Sequence, residues 1–137
     1  MVQCAIEFFF LVCPTKNIKI KIPRIIKWNA PLEPFIKLNI DGSSLGNPGL
    51  VGASRLLCNS LGDWISSFSL YMGITSNNIA ELGAVCEGLL LAWNLGFKFI
   101  HLEIYSMIVL FWLINNNDIP PIINPILCDC RNLMEHD

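Results

Sequence analysis

Hydrophobic and polar positions alternate over residues 36–41, with Ile36, Leu38 and Ile40 on one side and Lys37, Asn39 and Asp41 on the other. This is the period of a strand with one buried face. Residues 99–105 repeat the pattern, setting Ile100, Leu102 and Ile104 opposite His101, Glu103 and Tyr105. Between them, GLVGASRLLCNSLGDWISSFSLYMG reads as a β-hairpin. In SNNIAELGAVCEGLLLAWNLGF the period changes: Ile79, Leu82, Val85, Cys86, Leu89, Leu90 and Trp93 form a helical stripe, Asn78 suits the N-cap, and Gly96 stands where the helix would stop. Ser106 can cap a further helix beginning at Met107. The order β, β-hairpin, α, β, α implies an α/β domain. Its first three strands form a meander, and the strand ending at Tyr105 pairs with the first in parallel through the helix crossover.

Upstream the pattern is weaker. KNIKIKIPRIIKWNAPLEP alternates over 17–22 and is then interrupted by Pro23, Pro31 and Pro34. We read residues 1–34 as a divergent leader or linker and 35–137 as the domain. The leader carries Lys16, Lys19, Lys21, Arg24 and Lys27, although the net charge of the chain is −2. That balance argues against coating of nucleic acid by bulk electrostatics, and the basic run reads as a solvated arm. The apolar run FFFLVC is too short to cross a bilayer and lacks a basic leader, so neither a signal peptide nor a membrane segment is expected. Six cysteines form no CxxC pair and no zinc spacing with His101 and His136. Free thiols in a reducing, intracellular setting fit best. No obligate protein partner is evident.

Two carboxylates stand at places where chemistry and folding make similar demands. Asp41 leaves the polar side of its strand and runs into the glycine-rich GSSLGNPG; it either opens a turn or presents a carboxylate at the strand end. Glu81, three residues after Asn78, is either a capping-box partner or a functional acid.

DGSSLGNPG, NNIAELGAVCEGLLLAWNLGF and LEIYS, in this order and spacing, resemble the ribonuclease H family, particularly the plant domains related to non-LTR retrotransposons. The likeness begins near Trp28 and runs to residue 136. It implies a mixed sheet with flanking helices and metal-dependent endonucleolytic cleavage of RNA in RNA–DNA hybrids. Four carboxylates would hold two Mg²⁺ ions, one activating water and the other stabilising the leaving oxygen. On this pattern Asp41 matches the first carboxylate and Glu81 the second. Ser43, Ser44, Asn47, Asn77 and Asn78 match positions that meet the hybrid, although turn formation and helix capping explain them equally well.

The chain departs from the family where the third carboxylate belongs. That position is Tyr105, a phenol that ionises near pH 10 and is a poor Mg²⁺ ligand at neutrality. The family places its fourth carboxylate on or before a last helix that comes after a fifth strand, and the expectation is that this sequence stops short of both; CDCRNLMEHD reads as the helix before that strand. Glu103, two residues back from Tyr105, is a remote substitute or else part of a solvated face. Arg55 stands where relatives carry a small residue. Losing the last strand would expose the edge of the strand ending at Tyr105 and favour aggregation. The expectation is a degenerate ribonuclease H-like domain with impaired cleavage; a non-catalytic nucleic-acid-binding module and a non-functional retroelement fragment are the alternatives.

Overall fold

The alternating segment becomes the middle strand of a five-stranded mixed sheet. A computed structural model of the protein describes residues 3–8, 28–115 and 117–135. The elements are β1 (Gln3–Phe8), β2 (Ile36–Gly46), β3 (Gly49–Cys58), β4 (Trp64–Thr75), α1 (Asn77–Asn94), β5 (Phe99–Ile104), α2 (Met107–Ile114), a 3₁₀ turn (Pro121–Ile123) and α3 (Asn124–Glu135). Their order across the sheet is β1-β5-β2-β3-β4. β2, β3 and β4 form the expected antiparallel meander, and β5 lies parallel to β2. The basic run at 16–27 and the alternation at 17–22 lie outside the described residues.

DGSSLGNPG is not an open loop. Its residues continue β2 in register with β3, Asp41 opposite Ser54 and Gly46 opposite Gly49, and only Asn47–Pro48 turn the chain. Gly46 takes φ +93°, and a Cβ at Gly49 would collide with the Leu45 carbonyl oxygen, so this tight reversal excludes larger residues.

Leu38, Ile40, Leu57, Leu82, Val85, Leu89, Ile100, Leu102 and Ile104 fill one core between the sheet and the helices. The buried face of α1 differs from the stripe of large residues in its sequence. Ala80, Gly83, Ala84, Gly88 and Ala92 are buried, while Leu90 is exposed. Close approach explains this: a Cβ on Gly83 would strike Met72, and one on Gly88 would press on Leu38 and Arg55. Small residues let α1 sit low on the strands. The helix starts two residues earlier than Asn78 implied, because Ser76 is the N-cap and its hydroxyl accepts from Ile79 N–H at 3.4 Å. It ends in a Schellman arrangement, Gly96 N–H to Trp93 and Phe97 N–H to Ala92, with Gly96 at φ +83°.

α2 has the expected Ser106 cap and buries Val109 and Leu113, leaving Met107, Ile108, Phe111 and Ile114 exposed. Arg131 of α3 ties down its far end by donating to the Trp112 and Asn115 carbonyl oxygens. Among the described residues, no helix is long and apolar enough to cross a membrane.

The open edge inferred for the strand ending at Tyr105 does not occur. β1 pairs with β5 in parallel along its whole length, from Gln3 opposite Phe99 to Phe8 opposite Ile104. The sheet edge beside β5 therefore finds a strand within this chain. Arg55, on β3, is equally far from a surface position. It is 2% exposed beneath α1, stacks on Phe68 at 3.6 Å and lies 4.0 Å from Glu87, yet none of its side-chain nitrogens has a hydrogen-bond partner. Burial lowers the Arg55 pKa, only partly opposed by Glu87.

Two outcomes follow from this packing. Replacing Ala5 and Ile6 together by proline removes a ladder N–H whichever of the two faces β5. The variant should melt lower and shift to larger species on size exclusion, whereas unchanged melting would show that β1 does not protect this edge. For the buried guanidinium, Arg55→Met removes nitrogens that have no hydrogen-bond partner and only a long ion pair to Glu87, and should raise unfolding free energy by about 1–3 kcal/mol in urea titrations. A loss of similar size would mean that the Phe68 stack outweighs desolvation.

Candidate functional site

Asp41 lies within β2, exposed and opposite Ser54, where the polar side of the strand faces away from α1. Ser43 and Ser44 continue β2 opposite Gly52 and Val51. The sheet, the first turn of α1 and the β5–α2 junction then converge. Glu81 is the hub, because its Oε1 accepts the backbone N–H of Tyr105 at 3.2 Å and of Ser106 at 3.0 Å. Neither capping-box geometry nor a free carboxylate describes it: Glu81 caps the start of α2 from a neighbouring helix. Burial pushes its pKa up, the two N–H bonds pull it back, and the nearby Asp41 charge adds to the rise.

The asparagines brace the same junction. Asn78 Oδ1 accepts from the Ser106 hydroxyl at 2.9 Å, while Ser106 Oγ itself accepts from Val109 N–H at 3.2 Å. Asn47, at the hairpin turn, accepts the Asn77 backbone N–H at 3.2 Å. Asn47, Asn77 and Asn78 are thus brought together, linking the β2–β3 turn to α1 and α1 to α2.

Tyr105 immediately follows β5, about half exposed, beside a cleft of about 350 Å³ bordered by Trp28, Asp41 and Glu103. Its hydroxyl donates to Glu103 Oε1 at 3.5 Å. Burial raises the phenol pKa, and the Glu103 and Asp41 charges raise it further, so Tyr105 is neutral at physiological pH. Glu103 is not part of a solvated face. It is 5% exposed, and its Oε2 lies 2.5 Å from Lys37 Nζ. Lys37, 2% exposed, also donates to the Asn29 carbonyl oxygen at 2.9 Å and lies 5.4 Å from the Trp28 ring centre. Sequence reading missed Lys37 and Trp28. The available signal was alternation, which puts Lys37 and Glu103 on the same sheet face once β2 and β5 are paired with Lys37 opposite His101.

Chemically, this leaves Asp41 beside the cleft, Glu81 within electrostatic reach of it but already accepting two N–H groups, and a third carboxylate, Glu103, paired with an internal ammonium. Among the described residues, no group of three or more His, Cys, Asp or Glu side chains is arranged to hold a metal ion.

The sequence profile of the reverse transcriptase-like family matches residues 39–137. Over 93 residues the chain is 38% identical to a candidate ribonuclease H protein of Arabidopsis thaliana, an alignment that covers 68% of this chain. The chain spans only 15% of that protein's length. Among solved structures, ribonuclease H1 of Halobacterium salinarum superposes with a TM-score of 0.64 at 28% identity, covering 73% of this chain and 76% of the other. LC11 ribonuclease H1, solved in complex with an RNA/DNA hybrid, shares the fold at a TM-score of 0.62 and 23% identity, over 72% and 75% of the two chains. Because the family profile spans most of the chain and the sheet and helices match solved ribonuclease H folds, this protein belongs to the ribonuclease H-like branch of the reverse transcriptase-like family.

Proposed function

We propose that the domain binds RNA–DNA hybrid and does not cleave it efficiently. The observation that carries this reading is Tyr105 at the end of β5, hydrogen-bonded to Glu103 where the family pattern implies a carboxylate. Asp41 and Glu81 are the matching catalytic and metal-binding positions. Two Mg²⁺ ions do not fit the residues present. Holding two adjacent dications requires several fixed negative charges. Here Glu103 is paired with Lys37 and Tyr105 is a neutral phenol. Two carboxylates suit at most one Mg²⁺ shared with a substrate phosphate.

The binding half of the function is better supported. Asn47 and Asn78 use their carbonyl oxygens internally, which orients each amide NH₂ as a donor. Such donors suit the 2′-hydroxyls and base edges that distinguish an RNA-containing minor groove. Ser43 and Ser44, on the adjoining strand, and Asn77, at the start of α1, complete the proposed contact set.

Incubated with a labelled hybrid and Mg²⁺ or Mn²⁺, the protein is expected to shift the hybrid in a binding assay without detectable cleavage. Tyr105→Asp alone should restore little activity, because metal ligands act as a unit. Robust metal-dependent cleavage by the natural chain, abolished by Asp41→Asn, would overturn the proposal. Asn47→Ala with Asn78→Ala should weaken hybrid binding by roughly tenfold at constant salt. Unchanged affinity would remove those residues from the interface.

Glu81 separates folding from chemistry. A raised carboxyl pKa in the folded state means that its stabilising contribution is present below the unfolded value, ordinarily 4.5, and is lost as pH rises through the folded value. Glu81→Gln keeps an acceptor for Tyr105 and Ser106 without the buried charge, so it should melt at or above the natural protein at neutral pH and lose that pH-dependent decline. Glu81→Ala should cost about 1–3 kcal/mol by leaving two N–H groups unpaired. Equal melting of all three proteins across this pH range would show that Glu81 does not organise the junction.

A further inference from the structure

The sheet formed by the described residues ends at β1 on one side and β4 on the other, and these two edges are built differently. β1 is six residues long and carries Glu7. β4 runs for 12 residues, WISSFSLYMGIT, with neither a charged side chain nor a proline, the devices that ordinarily keep a strand edge from pairing with another chain. Its pairing with β3 is irregular only toward the two ends, so residues 66–71 keep an unbroken register. Trp64, Phe68, Tyr71 and Ile74 are exposed along the same strand. We propose that β4 is the interface for a second copy of this chain, which pairs antiparallel about a two-fold axis at Ser69 and joins two sheets edge to edge.

The strand is complementary to itself about that residue. A two-fold axis perpendicular to the sheet keeps each face on its own side, so residues opposed across it share a face and the axis passes through a residue, not between two. With Ser69 on the axis, Phe68 of one copy meets Leu70 of the other, and symmetry repeats the contact. These apolar pairs lie on the α1 side of the sheet, where Phe68 stands opposite Arg55 and stacks on it. On the other face Tyr71 meets Ser67, again twice, and two exposed serine hydroxyls meet at the centre without charge or bulk to oppose them. An axis at Phe68 would crowd two rings, each already held by its own Arg55, and would set Leu70 against Ser66. An uncharged strand offers a foreign partner no complementary charge, whereas two copies of it meet without repulsion.

The test is sedimentation velocity on the full chain over a dilution series, with circular dichroism to confirm folding. The natural chain should be dimeric at roughly 100 μM and dissociate on dilution into the low micromolar range. Ser69→Lys sets two ammonium groups face to face at an exposed position and should weaken association by roughly tenfold or more without changing the spectrum. Leu95→Lys, at the exposed C-cap of α1, should leave association unchanged. Opposed Cα atoms of an antiparallel pair lie about 4.5–5.5 Å apart, within reach of a disulfide, so Ser69→Cys should give a covalent dimer under mild oxidation, mapped to position 69 by non-reducing peptide mass spectrometry. Ser67→Cys should not, because its symmetry mate lies about 13 Å away along the strands. The cysteine variants decide the matter if Ser69→Lys fails to fold. A monomer at every concentration, as when another segment of the same chain covers β4, a dimer indifferent to Ser69→Lys, or equal cross-linking at positions 67 and 69 would each overturn the proposal.

Discussion

The paired acceptance of the Tyr105 and Ser106 N–H groups by Glu81 fixes the geometry on which the rest of the site depends. α1 crosses from β4 to β5, and Glu81 joins the start of that crossover to its destination. α2 begins there too, and Glu81 holds the two residues that lead into it, Tyr105 and the N-cap Ser106, by their backbone N–H groups. Asn78 through Ser106 and Asn47 through Asn77 extend the same bracing outward. Glu81 thus serves the architecture whether or not a metal binds.

The cleft beside Tyr105 has its own electrostatic solution. In a metal site, repulsion among carboxylates is relieved by cations from solution. Here Lys37 supplies an ammonium from the adjacent strand, 2.5 Å from Glu103, and Trp28 lies over the pair. Removing one partner of such a buried pair costs far more than removing an exposed charge. Lys37 and Glu103 therefore constrain each other more tightly than either constrains a ligand.

Features governed by neighbours in sequence were largely legible. Alternation located β2 and β5, the apolar period located α1, and Ser106 marked the start of α2. The N-cap was misplaced from Ser76 to Asn78 because either residue suits the role by composition, and the choice is made by Asn78 reaching across to Ser106. Lys37, Glu103 and Arg55 read as polar or anomalous positions; their burial depends on strand register and on Trp28, Phe68 and α1 closing over them. The resemblance correctly placed the chain in its family. It could not indicate that Gln3–Phe8 pairs with β5, since those residues lie outside the matched motifs. Small residues on α1 were likewise invisible to a search for large apolar ones, although they set how closely the helix approaches the sheet.

The β1–β5 pairing joins Gln3 to Phe99, 96 residues apart along the chain. During translation β1 is made before its partner, and at ordinary elongation rates it waits on the order of 5–20 s for β5 to be synthesised. The β2–β4 meander, built from neighbouring segments, can assemble within that interval. The sheet consequently grows outward from its middle strands, and the β5 edge, which β1 covers, is the last to be closed.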